Sequence, residues 1–565
     1  MNINWLDSFE KTVKEKAKEI AVVHNSEQIE FADLQMEAKK LAMLIIERTD
    51  NAINQPIAVF LPKEINTIVA DLGIMYSCNP FMNLDIKTPK ERIKNILELV
   101  SPCAIVTSSK YIEKLEDLDF PILLTDHMGL ETEFQDDLLT RRRKVLVDTD
   151  PLCIINTSGS TGTPKGVVLN HRSFFDFLDW AVERFKFDGK EVIGSLSPVV
   201  FDIFDFELCM MMQKGAKLVL LDASLAMFPV RLIEMLNANK VNFIFWVPSI
   251  MVNIANMDLL DKISIPSLKM VWFAGEVFPT KQFLYWYDKF EDALFVNLYG
   301  PIEITLDCTY YVVEERPEES QPLPIGVPCR NTDILILNSN DCTCGLEEEG
   351  ELCVRGTSLA MGYYNNFEKT AKAFTQNPLN QCYPEIIYRT GDMVCMRKDG
   401  NIMFKGRKDS LIKHMGYRIE LGEIEHMLEN DIKIVKYCCA VYQYAQKKIV
   451  LFYESDQDIT ERDFRIALGN VFPAYMIPAV FCKVDMLPRN TNGKIDRLLL
   501  NQKVNMEPIE LNEKDKNAGG GVSGKLTCIL LLLFDLKSEL QKSGSSDRNK
   551  EKRRMKTCVR QYYHI

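Results

Sequence analysis

The sequence predicts an α/β protein: a large N-terminal domain of mostly parallel sheets packed with helices, followed by a small, mobile α+β domain. Short apolar, β-branched runs occupy residues 56–61, 103–107, 217–221 and 243–247. They alternate with amphipathic helical windows such as residues 230–239. Strands that alternate with helices imply crossover connections and parallel pairing. A chain of 565 residues is also too long for one core, so more than one domain is expected.

The pattern changes after about residue 410. A helix candidate over residues 420–430 is followed by strand candidates at 435–442 and 448–453, and by a helix candidate at 461–468. We therefore expect a large domain over residues 1–406 and a small domain over residues 407–505, with a hinge near Asp409. We expect residues 506–565 to be a disordered basic tail.

Composition and charge exclude several classes of partner. The formal net charge of -12 would repel a phosphate backbone, so no nucleic-acid partner is expected. The apolar run at residues 528–534 is far shorter than the roughly 20 residues that cross a bilayer, so no membrane span is expected. The N-terminus has no apolar run of a secretory signal, and the sixteen cysteines form no CxxC pair. These features predict a cytoplasmic protein with reduced thiols.

The strongest motif is TSGSTGTPKG at residues 157–166, directly after the apolar strand candidate at residues 152–155. Glycines let backbone N–H groups turn toward an anion, hydroxyls add donors, and Lys165 adds a compact positive charge. A flexible Ser/Gly linker would explain neither the lysine nor the preceding strand. The predicted phosphate-binding residues are Thr157, Ser158, Gly159, Ser160, Thr161, Gly162, Thr163 and Lys165.

Further segments follow this motif in a fixed order. They are NLYGPIE at residues 297–303, GELCVRG at 350–356, YRTGD at 388–392, GRKD at 406–409, GYRIELGEIE at 416–425 and LPRNTNGK at 487–494. From about residue 31 to residue 497 the chain thus resembles the adenylate-forming enzymes, which include acyl-CoA synthetases, luciferases and peptide-synthetase adenylation domains. A single short motif could arise by chance, but an ordered set at these separations could not.

The resemblance implies a reaction and a set of site residues. The cofactors implied are ATP and Mg²⁺, and the reaction is in-line attack of a carboxylate on the α-phosphate with release of pyrophosphate. The catalytic residues implied are Lys165, Glu303, Arg407 and Lys494, with Glu303 and Thr161 as magnesium ligands. The nucleotide would be held by the phosphate loop together with Asn297, Tyr299, Gly300, Asp392, Arg407 and Lys494, with Asp392 accepting the ribose hydroxyls.

The segment FDIFDF at residues 201–206 bears on which carboxylic acid is used. In family members that use amino acids, an aspartate at the position of Asp202 pairs with the α-ammonium group. A carboxylate facing an apolar pocket is costly unless a cation meets it, and a fatty acid brings none. A helix-capping role for Asp202 is the alternative. We expect Asp205 to be that cap or to face solvent.

Nine positions match the substrate pocket of peptide-synthetase domains: Asp202, Ile203, Phe206, Ser249, Trp272, Ala274, Leu298, Leu306 and Asp307. Phe206 and Trp272 should shrink the pocket and favour a small amino acid. Asp307 would favour a basic or hydroxylated substrate if it lines the pocket. The sequence does not decide between a small amino acid and a basic or hydroxylated one. Residues 270–279 (MVWFAGEVFP) resemble D-alanine–carrier-protein ligases, except that Ala274 stands where those enzymes typically have cysteine.

The resemblance also implies a second step, in which the small domain rotates about Asp409, withdraws Lys494 and admits a thiol. Ser523 lies 29 positions after Lys494 (523 − 494), with no preceding helix to form a carrier bundle. We therefore expect a phosphopantetheinylated carrier protein that is separate from this chain.

Ile302 departs from the family, which usually has threonine there, and this predicts slower adenylation. Two alternatives remain. A fatty-acyl-CoA ligase is disfavoured by Asp202. A non-catalytic adenylate-binding relative is disfavoured by Lys165, Glu303, Asp392 and Lys494.

Overall fold

The computed structural model describes residues 4–127, 135–158, 164–408, 410–489 and 495–505. The chain divides between Ile419 and Glu420 into a large and a small compact unit, and the segment from residue 407 to Ile419 belongs to the large one. The predicted boundary at residue 406 stays a prediction. Asp409, the predicted hinge, and the tail over residues 506–565 lie outside the described residues.

The strands of the structure follow in chain order. They are β1 (Ile20–His24), β2 (Glu27–Glu30), β3 (Ile57–Phe60), β4 (Phe81–Asn83), β5 (Ala104–Thr107), β6 (Ile122–Leu124), β7 (Pro151–Thr157), β8 (Lys165–Asn170), β9 (Val192–Ser195), β10 (Lys217–Leu220), β11 (Phe243–Trp246), β12 (Met270–Phe273), β13 (Leu294–Tyr299), β14 (Thr309–Val312), β15 (Val327–Pro328), β16 (Thr332–Leu337), β17 (Glu349–Gly356), β18 (Gly362–Tyr363), β19 (Phe374–Gln376), β20 (Ile386–Met396), β21 (Ile402–Arg407), β22 (Leu411–His414), β23 (Tyr417–Glu420), β24 (Tyr437–Gln443), β25 (Lys448–Glu454) and β26 (Val480–Lys483).

The α-helices lie between these strands. They are α1 (Trp5–Lys16), α2 (Phe31–Arg48), α3 (Ile65–Tyr76), α4 (Lys90–Val100), α5 (Asp136–Arg143), α6 (His171–Phe185), α7 (Asp202–Lys214), α8 (Pro229–Ala238), α9 (Pro248–Asn256), α10 (Thr280–Tyr287), α11 (Phe367–Ala373), α12 (Leu421–His426), α13 (Glu461–Gly469) and α14 (Arg497–Asn505).

The first sheet of the large unit has nine strands in the order β15-β14-β13-β12-β11-β9-β10-β1-β2. Its centre, from β13 to β1, is parallel, and the strands at its two edges pair antiparallel. Every residue of β11 is buried, as expected for a strand covered on both faces of a parallel sheet. The strands expected at residues 217–221 and 243–247 are confirmed as β10 and β11, and the helix expected at 230–239 as α8.

The second sheet has seven strands in the order β18-β8-β7-β4-β3-β5-β6 and is parallel from β7 to β6. The strands expected at residues 56–61 and 103–107 are confirmed as β3 and β5. β7 and β8 pair antiparallel, with Thr157 opposite Lys165. The two strands thus bring both ends of the predicted phosphate loop to one point.

A third sheet of the large unit is antiparallel, in the order β16-β17-β20-β19 with β21 added to β20. The strand-and-helix alternation of the sequence does not predict it. The pairing of β20 with β21 places Asp392 opposite Arg407, which brings two predicted site residues together. β22 and β23 form a separate pair.

The small unit contains β24, β25 and β26 in one sheet, together with α12, α13 and α14. β24 pairs antiparallel and β26 parallel with β25. α13 begins with a capping box in which Thr460 and Asp463 each accept from the other's backbone amide. The expected α+β composition is confirmed. None of the helices within the described ranges is long and apolar enough to cross a membrane.

Candidate functional site

The two ends of the predicted phosphate loop are fixed by β7 and β8. Thr157 and Ser158 are buried, and the Ser158 hydroxyl donates a hydrogen bond to the backbone oxygen of Arg418 at 2.6 Å. The ammonium of Lys165 lies 4.9 Å from the ring centroid of Tyr363. Gly159, Ser160, Thr161, Gly162 and Thr163 fall outside the described residues, so their part in the loop stays a prediction.

Glu303 lies at the centre of the site, on the 3₁₀ turn Ile302–Ile304 that follows β13. Its side chain is fully buried. The Tyr363 hydroxyl donates to Oε1 at 2.8 Å, and Nη1 of Arg418 donates to Oε2 at 2.5 Å. Burial alone would raise the pKa of Glu303, but Arg418, Lys165 and Tyr363 outweigh it and lower that pKa to about 2. Glu303 is therefore an ionised carboxylate inside the protein.

A magnesium site at Glu303 and Thr161 is implied by the family resemblance. A carboxylate is the hard oxygen ligand that Mg²⁺ prefers. Both oxygens of Glu303, however, are already engaged by side chains of the protein. No group of three or more His, Cys, Asp or Glu residues that could hold a metal occurs in the part of the chain that the structure describes. In this arrangement Glu303 does not fit a metal site, and its role as a ligand stays a prediction.

The predicted nucleoside-binding residues come together at the end of β13 and on β20 and β21. Tyr299 donates its hydroxyl to Oδ2 of Asp392, and Nη1 of Arg407 pairs with Oδ1. Nη2 of Arg407 also donates to the backbone oxygen of Thr390 at 3.0 Å. Asn297 donates to the backbone oxygen of Pro324 at 2.7 Å. The Asp392 carboxylate is thus held in a fixed orientation, and its role in binding the ribose hydroxyls stays a prediction.

The chain turns back sharply after β13, so that residues 306 and 307 lie against Gly300. A Cβ atom there would lie 2.2 Å from the backbone oxygen of Leu306 and 2.5 Å from Cα of Asp307. Thr305 and Leu306 have φ angles of 53 and 66, in the left-handed region that non-glycine residues rarely adopt. Such strain is concentrated at functional sites. The return brings the amide of Leu306 to the carboxylate of Asp202, where it lowers the pKa of that acid.

Asp202 is the first residue of α7, and Phe201 is the N-cap, with no side-chain capping hydrogen bond. Asp202 is therefore not the capping residue. Its side chain is partly buried. Burial raises the pKa of Asp202 to about 6, against the opposing effects of Lys413 and of the backbone amides of Ile203 and Leu306. The helix thus presents an acid that a nearby cation would keep ionised.

The expectation that Asp205 caps the helix or faces solvent is wrong. Its side chain is buried, and its Oδ2 accepts a hydrogen bond from the Cys153 thiol at 3.4 Å. Residues 203–212 of α7 are all buried, so this helix has no solvent face near its start. Burial and the neighbouring Asp71 raise the pKa of Asp205 well above its ordinary value.

Most of the remaining predicted pocket positions carry apolar side chains. Ile203, Phe206, Trp272, Ala274, Leu298 and Leu306 are buried. Phe206 stacks on Trp272 with ring centroids 5.5 Å apart and an interplanar angle of 28°. Ser249 is partly buried, and its amide donates to Oε2 of Glu276 at 3.1 Å. Burial and the charge of Asp202 raise the pKa of the buried Asp307 well above its ordinary value.

Three site residues had no role in the sequence analysis: Tyr363, Lys413 and Arg418. Lys413 on β22 is partly buried and interacts electrostatically with Asp202, Asp307 and Asp392. Burial lowers the pKa of Lys413, and the nearby carboxylates oppose that effect. No local pattern marks a lysine for such a position, because the acids are distant in sequence. Lys494 lies outside the described residues.

The chain is similar in sequence to known proteins. The family described as "AMP-binding enzyme" matches residues 9–364. Zwittermicin A synthase ZmaJ from Bacillus cereus is 30% identical over 500 residues, which are 87% of this chain and 93% of the relative. Tyrocidine synthase 1 from Brevibacillus parabrevis is 29% identical over 87% of this chain, but the match spans only 44% of that protein.

Solved structures share the fold. The Vibrio cholerae adenylation domain AlmE, in complex with glycyl-adenosine-5'-phosphate, superimposes with a TM-score of 0.76 at 19% identity, over 88% of this chain and 98% of that one. A fused adenylation–PCP di-domain from Klebsiella oxytoca, NpsA-ThdA, gives a TM-score of 0.72 at 20% identity, over 85% and 94% of the two chains.

Proposed function

This chain belongs to the AMP-binding enzyme family, and on that premise we propose that it activates a small, D-alanine-like amino acid as an aminoacyl-adenylate. ATP is the co-substrate, and pyrophosphate is released. The aminoacyl group then passes to the phosphopantetheine thiol of a separate carrier protein. The cytoplasmic location expected from the sequence stays a prediction.

The position of Asp202 is the observation that carries this proposal. Its carboxylate lies at the start of α7, where burial opposes ionisation. The charge of Lys413 lowers its pKa but does not bring it back to the ordinary value. An α-ammonium group would stabilise the ionised form, whereas the chain of a fatty acid carries no charge to do so. Asp202 therefore favours an amino acid over a fatty acid.

Phe206 and Trp272 bear on the size of the amino acid. Their rings stack on each other at two positions that the family resemblance assigns to the substrate pocket, which leaves little room there for a long side chain. Both rings are fully buried, so neither can move aside without repacking its neighbours. The raised pKa of Asp307 favours a neutral carboxyl that can hydrogen-bond a hydroxyl group. Glycine, alanine and serine fit these features better than lysine or an aromatic residue.

The proposed chemistry needs positioning and charge stabilisation more than covalent work by the protein. A substrate carboxylate oxygen forms a bond to the α-phosphorus, and the bond from that phosphorus to the bridging oxygen of pyrophosphate breaks. Asp392 orients the ribose, and Lys165 at the start of β8 binds the departing phosphates. Lys494 neutralises charge that develops at the α-phosphate. In the second step the carrier thiolate attacks the acyl carbon, and AMP leaves.

ATP–pyrophosphate exchange across a panel of D- and L-amino acids tests the proposal. We expect exchange with glycine, alanine or serine, little with larger amino acids, and none with Lys494→Ala. No exchange with any amino acid would overturn the proposal. Consumption of ATP and CoA with fatty acids alone would instead support an acyl-CoA ligase, and ATP binding without turnover would support a non-catalytic relative.

The second half-reaction needs its own experiment. Radiolabelled amino acid should become bound to a phosphopantetheinylated carrier protein, while the same carrier without its phosphopantetheine arm serves as the matched control. Transfer to free CoA but not to any carrier would contradict the proposed partner class.

A further inference from the structure

Trp272 carries a hydrogen-bond donor that has no partner in the described part of the protein. Four tryptophans are fully buried there: Trp5, Trp246, Trp272 and Trp286. Nε1 of Trp246 and of Trp286 each donates to a backbone oxygen, at 2.8 and 2.9 Å, whereas Nε1 of Trp5 and of Trp272 is buried without a hydrogen-bond partner. Of these last two, only Trp272 stands at a position that the family resemblance assigns to the substrate pocket. A buried donor left unpaired is costly and calls for an explanation.

Trp272 and Asp307 lie over the same face of the nine-stranded sheet. Trp272 on β12 pairs with Val296 on β13. Side chains alternate along a strand, so positions 296, 298 and 300 all face the side that Trp272 faces. A Cβ atom at Gly300 would point to that side, and it would lie 2.5 Å from Cα of Asp307. Asp307 therefore lies against this face of the sheet, on the far side of Leu298 from Trp272.

Helix α7 packs on this face through Phe206, whose ring stacks on Trp272 with centroids 5.5 Å apart. Asp202 lies four residues before Phe206, on the same side of the helix. Its carboxylate accepts a hydrogen bond from the amide of Leu306, and the buried Asp307 is close enough for the charge of Asp202 to raise its pKa. The helix and the sheet thus enclose a strip that has the unpaired indole N–H toward one end and two acids toward the other.

A side chain that meets both ends of this strip must be able to accept a hydrogen bond. An indole N–H only donates, so an ammonium or a guanidinium group, which also only donates, cannot pair with Trp272. Lys413 already places a positive charge near Asp307. A methyl group offers neither donor nor acceptor and leaves both Trp272 and Asp307 unpaired. A hydroxyl group accepts from an N–H and donates to a carboxyl oxygen, so it satisfies both.

We propose that the side chain of the activated amino acid carries a hydroxyl group, which accepts a hydrogen bond from Nε1 of Trp272 and donates one to the carboxyl group of Asp307. Serine is the member of this class that the site favours, because the buried rings of Phe206 and Trp272 restrict length. The proposal rests on the proposed function in assuming that the substrate is an amino acid held at Asp202. It makes Trp272 and Asp307 the residues that select the hydroxyl.

ATP–pyrophosphate exchange with serine and with alanine tests the proposal, because the two amino acids differ only by the hydroxyl group. We expect kcat/KM of the parent chain for serine to exceed that for alanine of the same handedness by at least about tenfold, since alanine leaves two buried polar groups unpaired. Trp272→Phe keeps an aromatic ring but removes the N–H, so its serine-to-alanine ratio should fall toward one. Trp246→Phe is the matched control, since its N–H bonds within the protein, and it should keep the ratio of the parent chain. A parent-chain ratio of one or less, or a ratio that Trp272→Phe leaves unchanged, would overturn the proposal.

Variants of Asp307 separate hydrogen bonding from packing. Asp307→Asn keeps a hydrogen-bond acceptor and should retain most of the preference for serine, whereas Asp307→Leu removes it and should lose the preference. The β-amino analogue of serine, in which an ammonium group replaces the hydroxyl, should be used less efficiently than serine. More efficient use of that analogue or of asparagine would overturn the assignment of a hydroxyl.

Binding of unreactive adenylate analogues makes the test independent of turnover. The seryl and alanyl forms of an aminoacyl-sulfamoyl adenosine differ by the same hydroxyl group, and calorimetry gives both Kd values for the full chain. We expect the seryl form to bind at least about tenfold more tightly, and equal binding, or no binding of either form, would overturn the proposal. Absence of exchange with every amino acid would refute the proposed function, while the ratio of the two Kd values would still decide this inference. Exchange with alanine but not with serine would refute this inference and leave the proposed function standing.

Discussion

Nη1 of Arg418 lies 2.5 Å from Oε2 of Glu303, across 115 positions of sequence, and both side chains are largely buried. The pair joins the turn after β13 to the β22–β23 segment. With the Tyr363 hydroxyl on the other oxygen, it fixes the orientation of the carboxylate. The contribution of this contact to the stability of the fold can be measured without any assay of catalytic activity.

Glu303→Gln should lower the free energy of unfolding by about 3–5 kcal/mol, because it leaves the buried Arg418 charge unpaired. The pKa of Glu303 is lowered to about 2 from an ordinary value of 4.5. Its contribution is therefore present above pH 4.5 and is lost as the pH falls toward 2. Urea unfolding at pH 7 and at pH 3.5 measures both effects.

The matched control for that substitution is Asp288→Asn, which breaks the exposed pair with Arg316. An exposed pair contributes only about 0–1 kcal/mol. Similar losses for the buried and the exposed substitution, or a Glu303→Gln loss that is the same at both pH values, would show that the Arg418–Glu303 pair does not stabilise the fold.

The pH dependence of amino-acid use should report Asp202. Its pKa is raised to about 6, so the carboxylate becomes protonated as the pH falls through that value and no longer attracts an ammonium group. We expect kcat/KM for the amino acid to fall below about pH 6. Asp202→Asn, which cannot titrate, should have a lower kcat/KM without this decline. A parent-chain profile that matches the variant's would contradict the assignment.

Gly300→Ala should disturb the amino-acid site from a distance. The added methyl would meet backbone atoms of Leu306 and Asp307, which cannot rotate away. Relief of this overlap should cost about 1–3 kcal/mol of stability, and the displaced Leu306 amide should reduce kcat/KM for the amino acid by about a hundredfold. Gly345→Ala, whose nearest new contact is 3.5 Å away, is the control and should change neither quantity. Equal kinetics for the two variants would contradict the prediction.

Ile302→Thr should raise the rate of pyrophosphate exchange by about ten- to a hundredfold, since a hydroxyl there can hydrogen-bond a phosphate oxygen. Ile302 is only partly buried, so the loss of packing should be modest. Ile304→Thr places the same hydroxyl at a fully buried neighbour and should lower stability without raising the rate. A rate of pyrophosphate exchange that does not increase in Ile302→Thr would refute the prediction that a hydroxyl at this position speeds adenylation.

Sequence patterns located those parts of the fold whose signal is local. β3, β5, β10 and β11 were predicted because buried parallel strands consist almost wholly of apolar residues. The antiparallel sheet was not predicted, since strands such as Thr332–Leu337 are partly exposed and mix polar with apolar residues. Asp205 was misplaced for a related reason: an acid in the first turn of a helix is usually exposed, and here residues 203–212 of α7 are all buried.

Ordered motifs predict Tyr299, Asp392 and Arg407 as candidate site residues. The structure brings these three side chains into contact. Arg418 lay inside a recognised motif but had no role, because its partner is 115 residues away. Only the folded chain shows which cation faces which carboxylate.

The most direct test of the central claim compares alanine with propionate, which differ only by the α-ammonium group, in ATP-dependent adenylate formation. We expect the parent chain to prefer alanine by about thirtyfold or more, the preference that a charge pair worth roughly 2–5 kcal/mol would give. We also expect Asp202→Asn to lose most of this preference. Equal use of the two acids by the parent chain, or an undiminished preference in Asp202→Asn, would contradict that claim.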